Sequence, residues 1–486
     1  MSLRADAARS VKWNLVDKLA TQVLYAVTGL VLAILLPKED FGLVGAVVVF
    51  QSFASLFIES GFASALIQRK APTQTDYSTV FWFNMGMAVA LYAVLWVCAP
   101  LIARWFQNDV RIIPLARAMF LTFILNAAAI VQANRMIKRM NPRPVALANS
   151  AGLAIGSAVG IYWAVTRCDA WAIVWQSVVS AGAKTAILWA IVRWRPSMRF
   201  SLSALRSFFK VGSGVMGQSM LNLVFQNIYS LFIGNRAGIV PLAVYTQADK
   251  WSKMGVTSFS QVLTSSFLPV LAEVQDDRQR LHRVMAKINR ATGYALFVCF
   301  GWLIAEATPL FHVMFGTKWD DAIPLFRLLL VRGVLTVLTS LAANYILAVG
   351  RAKALMLSEV LRDSVALIAL LVCLPILRQP GGMALMLYGQ IAASAVAYVA
   401  TLIIVRHTCG MGITAMLLHN LPYVVVGSAS ILAAHILAAL LTDNPWLLCI
   451  ASLIIAAAVY LIANALLGSQ IQRELLNRRF QRMPNS

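Results

Sequence analysis

The stretch FGLVGAVVVFQSFASLFIESGFASALIQRKAPTQTDYSTVFWFN, residues Phe41–Asn84, decides the fold. An apolar run of helix length opens after the short turn Pro37–Asp40 and closes at the basic pair Arg69-Lys70. A polar link of a few residues follows, and a second long apolar run starts near Tyr77. A helix needs about 20 apolar residues to cross a bilayer, and both arms are long enough. The stretch is a hydrophobic hairpin with a basic elbow, and such elbows stay on the cytoplasmic side. One acid, Glu59, lies inside the first arm with Gly42, Gly45 and Gly61.

The rest of the chain has the same character. Of 486 residues, 60% are hydrophobic and only 12% charged. A soluble domain carries about 25% charged residues, so a polytopic membrane protein is expected. Residues 1–12 are polar and basic and run straight into an apolar segment, so no cleavable leader is expected. The net charge of +22 does not point to nucleic acid, because Lys and Arg cluster in links, as cytoplasmic loops require. The six cysteines contain no CxxC pair and the five histidines are dispersed. No HExxH, GxSxG or Walker loop occurs, so no metal, no cofactor and no enzyme chemistry is expected.

Fourteen apolar segments of spanning length can be marked: 12–36, 41–66, 77–105, 112–134, 145–166, 170–193, 210–234, 241–273, 288–314, 321–348, 354–377, 383–405, 415–440 and 446–467. Every second link is basic: Arg69-Lys70, Arg135–Arg143, Arg193–Lys210, Arg278–Arg290, Arg351 with Lys353, Arg406, and a tail with Arg473 and Arg478. The links between are short and nearly neutral. This alternation predicts both termini in the cytoplasm and an even number of spans. Residues 198–210 alternate apolar and basic residues and predict an amphipathic helix on the inner surface.

A repeat is visible. Ala133-Asn134 precedes a basic link in the fourth segment, and Ala343-Asn344 does so in the tenth. WQSVVSAGAKTAILWAIVR ends at Arg193, and YGQIAASAVAYVATLIIVR ends at Arg406. The expected fold is an all-α polytopic membrane protein of about 14 transmembrane helices, with two pseudo-symmetric six-helix bundles. The bundles would occupy 1–195 and 211–408, joined by a cytoplasmic amphipathic linker at 196–210. Two additional helices at 409–470 and a basic tail at 471–486 follow.

Ionisable groups inside spans are costly, at least about 2.5–3.5 kcal/mol each, and face a cavity or a partner. Lys184, Lys250, Arg327 and Arg332 have no acid on their own helix that cancels them all. They are candidate substrate-binding cations for an anionic cargo, since Lys and Arg bind phosphate through charge-assisted hydrogen bonds. Glu59 and Asp249 are candidate ion-coupling acids, and Asp249 is also spaced to pair with Lys253. Asp17, Lys18, Glu359, Arg362 and Asp363 form candidate clusters, either structural or cavity-lining. Tyr229, Tyr245, Trp251, Trp82 and Phe83 are candidates for stacking on sugar, or for interfacial and packing duty.

Three pieces of the opening stretch carry a resemblance. The turn PKEDFGL, the helix end ESGFASALIQRK and the opening DYSTVFWFN resemble the bacterial polysaccharide exporters. These are the O-antigen or colanic-acid type flippases of the multidrug/oligosaccharidyl-lipid/polysaccharide superfamily. A second stretch, AVYTQADKWSKMGVTSFSQVLTSSFLPVLAEVQDD (Ala243–Asp277), is similar too, with Tyr245, Ala248, Lys250, Pro269 and Gln275-Asp276-Asp277. The family usually joins its Ala and Lys directly; here Asp249 separates them. The resemblance implies an inner-membrane flippase. It would move a polyprenyl-pyrophosphate-linked oligosaccharide by alternating access through a cationic central cavity. Its partners would be the bilayer, the lipid-linked saccharide, and a polysaccharide polymerase or glycosyltransferases. A monomer is expected, with no nucleic acid. A cation-coupled multidrug antiporter of the same superfamily is the alternative, but such a cargo calls for buried acids. A polytopic saccharide polymerase or ligase would present one large outer loop, and every outer link here is short.

Overall fold

The computed structural model describes residues 3–59, 66, 69, 71–379 and 381–474; of these, the side chains of 3–12, 14, 15, 56–59, 209–219, 221, 222 and 352 are not described. Among the described residues the secondary structure is helical, with no strand. In chain order the helices are α1 (Leu3–Leu35), α2 (Lys38–Glu59), α3 (Gln74–Trp105), α4 (Ile112–Met119), α5 (Leu121–Lys138), α6 (Arg143–Thr166), α7 (Trp171–Val192) and α8 (Leu202–Arg236). They continue with α9 (Ile239–Glu273), α10 (Arg278–Ala305), α11 (Ala307–Phe315), α12 (Ala322–Ala348), α13 (Ala352–Cys373), α14 (Gly382–Cys409), α15 (Ile413–Leu441) and α16 (Pro445–Leu466). Among the described residues, nine stretches are long and apolar enough to cross a membrane: α1 from Val16, α3, α4 with α5, α6, α10, α12, α14, α15 and α16. The chain is therefore an all-helical, multi-pass membrane protein.

Local sequence sets the ends. Thr73 and Asp76 cap α3 reciprocally: Asp76 N donates to Thr73 Oγ1 (3.2 Å), and Thr73 N donates to Asp76 Oδ2 (2.8 Å). Asp277 caps α10 by accepting from Arg280 N (3.0 Å). Gly410, with φ 79°, closes α14. Pro269 and Pro422 lie inside α9 and α15, where a proline removes a helix bond.

The chain divides into two compact units, Met1–Thr246 and Gln247–Ser486, and the division falls inside α9. In the first unit α3 packs on α5, α5 on α7, α6 on α7, α1 on α6 and α8 on α2. In the second, α10 packs on α12, α12 on α14, α13 on α14, and α15 on both α10 and α16. The three pairings α3–α5, α5–α7 and α6–α7 recur as α10–α12, α12–α14 and α13–α14.

Glycines let α6 and α7 approach closely in the first unit. Gly152, Gly156 and Gly160 recur every fourth residue on one face of α6. A Cβ there would stand 2.9 Å from Lys184 N, 2.5 Å from Gln176 O and 2.8 Å from Gln176 Cβ on α7. Small residues at this spacing let two membrane helices meet backbone to backbone.

Residues 202–210 differ from the amphipathic surface helix that the sequence predicts. They are the first turns of α8. Ala204 and Phe208 are buried in a cluster with Leu66, Val80, Phe81, Val131 and Trp194. The preceding link is strapped to α3. Trp194 Nε1 donates to Gln74 Oε1 (2.7 Å), Gln74 Nε2 to Arg195 O (2.9 Å), and Trp82 Nε1 to Ser197 O (2.9 Å). Of the apolar residues in this pattern Phe208 joins a protein core, while Phe200 and Leu202 stay exposed.

Candidate functional site

The charged residues gather inside each unit by itself. In the second unit the node is Asp249 on α9. Arg332 Nη2 on α12 stands 3.1 Å from Asp249 Oδ1, and Lys253, one turn along α9, pairs with Oδ2. Arg332 Nη1 donates to Gln390 Oε1 on α14. The Asp249 carboxylate thus faces two cations, and Arg332 links it to α14 through Gln390. The sequence spacing predicts the Lys253 contact. The Arg332 contact spans 83 residues, and only folding brings it about.

Gln390 Nε2, at this node, is buried and makes no hydrogen bond among the described residues. Gln247 Oε1 and Trp251 Nε1 are likewise buried without a partner among the described residues, but two residues either side of Asp249 they leave α9 on its other face. Each such atom costs about 1–3 kcal/mol unless a ligand or water satisfies it. Trp251 meets Phe315 edge-on at 5.7 Å, and Lys250 Nζ lies 5.5 Å from the Trp251 ring centroid.

Arg327 has a different duty. Its Nε donates to Ile304 O (3.1 Å) and its Nη2 to Thr308 Oγ1 (3.1 Å). Ile304 lies in the last turn of α10, whose carbonyls lack helical partners, and Thr308 lies in the first turn of α11. Arg327 therefore braces the break between these two helices. On α13 the ion pair forms between neighbours: Arg362 Nη2 stands 2.9 Å from Asp363 Oδ1. Among the described residues Glu359 joins neither.

In the first unit Asp17 on α1 accepts from Asn149 Nδ2 on α6 (3.0 Å). Its other oxygen is buried with no hydrogen-bond partner among the described residues. Lys184 on α7 is near enough to attract the Asp17 charge, so the acid missing from its own helix comes from α1. The glycine face of α6 makes this approach possible. Lys18 is exposed. Tyr245 is 2% exposed and packs in the core of this unit. Glu59 ends α2, and its side chain lies outside the described residues.

Residues 31–324, more than half of the chain, match the sequence pattern of a family described as polysaccharide biosynthesis protein. The chain belongs to that family. Its relatives include the teichuronic acid biosynthesis protein TuaB of Bacillus subtilis (strain 168), 24% identical over 358 residues, which are 72% of this chain and 73% of the relative. The succinoglycan biosynthesis transport protein ExoT of Rhizobium meliloti (strain 1021) is 26% identical over 329 residues, 68% of this chain and 66% of the relative. The lipopolysaccharide biosynthesis protein WzxC of Escherichia coli (strain K12) is 23% identical over 343 residues, 69% and 68%. Among solved structures, the lipid II flippase MurJ in an inward closed conformation superposes with a TM-score of 0.74 at 13% identity, covering 96% of this chain and 100% of that one. An inward-facing MATE-family multidrug transporter gives 0.62 at 16% identity, covering 82% and 98%. The two superpositions establish a shared fold for this family member.

The family member also carries a further buried acid. Glu306, near the end of the apolar segment 288–314, is fully buried, with Oε1 3.0 Å from His435 Nδ1 on α15. No sequence signal links residues this far apart.

Proposed function

We propose that this protein is an inner-membrane flippase that exports a saccharide linked through pyrophosphate to a polyprenol, working by alternating access. Family membership supports the cargo class, and so do relatives whose names concern teichuronic acid, succinoglycan and lipopolysaccharide. One observation carries the reading of the site. Arg332 presents a guanidinium where α9, α12 and α14 meet, beside the Gln390 amide nitrogen that makes no hydrogen bond among the described residues. A planar fork of donors suits phosphate oxygens, and an amide donor suits hydroxyl-rich cargo. Lys250, in the same unit, supplies further positive charge. Asp249 is the proposed acid that balances this charge when cargo is absent.

The proposed fold detail is fourteen crossings, with α4–α5 and α10–α11 each counted once. The repeated pairings α3–α5, α5–α7 and α6–α7 support two six-helix bundles at 1–195 and 211–408, with α15 and α16 outside them. Cytoplasmic termini follow from the basic links.

Arg332→Ala tests the site. Lys253 remains to pair with Asp249, so no isolated acid is created, and membrane abundance should stay within about twofold of wild type. Export of labelled lipid-linked saccharide from reconstituted vesicles should fall at least about tenfold, the loss of one charge-assisted contact. Arg332→Lys should recover part of it. Lower abundance with unchanged transport per molecule would overturn the assignment.

A further inference from the structure

Glu306 lies outside the charged node described above. It occupies the break between α10 and α11 and is fully buried. One oxygen, Oε1, is 3.0 Å from His435 Nδ1; the other, Oε2, is buried and meets no hydrogen-bond partner among the described residues. A carboxylate taken out of water with one oxygen unsatisfied is expensive. His435 is 46% exposed, so its ring joins the buried acid to the surroundings. The loop charges predict that the last turns of α10 and α15, and with them this pair, lie toward the outer side.

Neighbouring elements supply little that could hold the acid charged. On α12, Arg327 spends its guanidinium on Ile304 O and Thr308 Oγ1, which flank Glu306. On α16, Cys449 is within electrostatic reach. On α11, His312 is 3.0 Å from Asp320. Nor is the pair needed to dock α15. Asn289 Nδ2 on α10 donates to Met416 O (2.8 Å), and Asn420 Nδ2 donates to Asn289 Oδ1 (3.3 Å). Gly427 lies against the Phe297 backbone. On α16, Trp302 Nε1 donates to Ser452 Oγ (3.1 Å), and Tyr460 OH reaches Tyr294 O (2.8 Å).

We propose that Glu306 and His435 form a proton-binding site of the second unit, loaded from the outer side. The proton arrives on the half-exposed imidazole and is shared across the Nδ1–Oε1 contact. Uptake of one proton takes the pair from carboxylate with neutral imidazole to a neutral total, and release reverses it. No other bond changes. The pair sits where α10 breaks into α11, so its charge state bears on the geometry of that break. Its role as a coupling site rests on the transport reading above; its existence as a proton site does not.

Two measurements separate those claims. In infrared pH titration of purified full-length protein, wild type should show a carboxyl C=O band that titrates and that is absent from Glu306→Gln. Identical titrations of the two proteins overturn the site. Should Glu306→Gln fail to insert, His435→Gln replaces it: a shifted midpoint for that band is expected, and an unmoved one overturns the site. In vesicles, outside acid should accelerate wild-type export. Glu306→Gln should export at one rate with or without the gradient, while keeping its rate at symmetric pH. A wild-type gradient response in that variant overturns the coupling role. Absence of saccharide transport from wild type at every pH overturns the flippase reading alone, and the infrared result stands on its own.

Discussion

The α6–α7 contact of the first unit and the α9–α12–α14 contact of the second are held by different physics. In the first, three glycines let backbones meet, with potential Cβ positions only 2.5–2.9 Å from α7 atoms. A Cβ at that range would clash, so only glycine allows the two helices to pack so closely, and dispersion between packed helices is indifferent to protonation or ions. In the second, one carboxylate joins two cations from two helices, and the buried Gln390 amide nitrogen stands by without a partner among the described residues. Such a contact can exchange partners. A locked seam and an exchangeable node call for opposite responses to mutation.

The largest expected effect is on the seam. Gly156→Leu would drive a side chain into the Gln176 carbonyl, where even a Cβ stands at 2.5 Å. Overpacking costs about 1–3 kcal/mol and more when backbone blocks relaxation. Folded protein recovered from membranes should fall by roughly tenfold or more. Normal recovery with normal transport would mean the seam is loose and would erase the contrast.

An intermediate effect is expected at the node, and it has a sign. Asp249→Ala takes the acid from both Arg332 and Lys253, and breaking one side of a buried pair costs about 3–5 kcal/mol. Its abundance should therefore fall below that of Arg332→Ala. Joining the two substitutions should restore abundance, as coupled neighbours do, without restoring export. Equal and additive losses in thermal-stability assays would show that the two side chains do not act as a pair.

The smallest effect is expected at Arg327, which braces a helix break through two hydrogen bonds. Arg327→Gln should lower the melting midpoint of purified protein modestly, by the ~1–3 kcal/mol of lost charge-assisted bonds. Transport per molecule should stay near wild type. A selective loss of transport would return Arg327 to the substrate-binding set in which sequence alone places it.

Much of this architecture is written in local pattern. Pro37, the capping pair Thr73 and Asp76, and the Asp277 cap mark helix ends legibly, although Lys38–Asp40, read from sequence as part of a turn, already belong to α2; caps and breakers act within a few residues. Residues 202–210 were legible as amphipathic, yet the pattern cannot say whether an apolar face meets lipid or protein. Phe208 meets Phe81 and Trp194. Similarly, Arg327, Arg332 and Lys184 look alike as lone cations. One braces a break, one pairs with Asp249, and one is drawn to Asp17.

The sequence by itself determined that this protein is helical, crosses the membrane many times, and belongs with the polysaccharide exporters. Hydropathy, link charge and capping are properties of neighbours along the chain, so they survive without a fold. Only the tertiary structure decided which charges are neutralised, by which helix, and that Glu306 meets His435. Those contacts depend on distances of a few ångströms between residues as far apart as 83 or 132 positions. Electrostatic and hydrogen-bond energies are set by those distances and by burial, which no window of sequence contains.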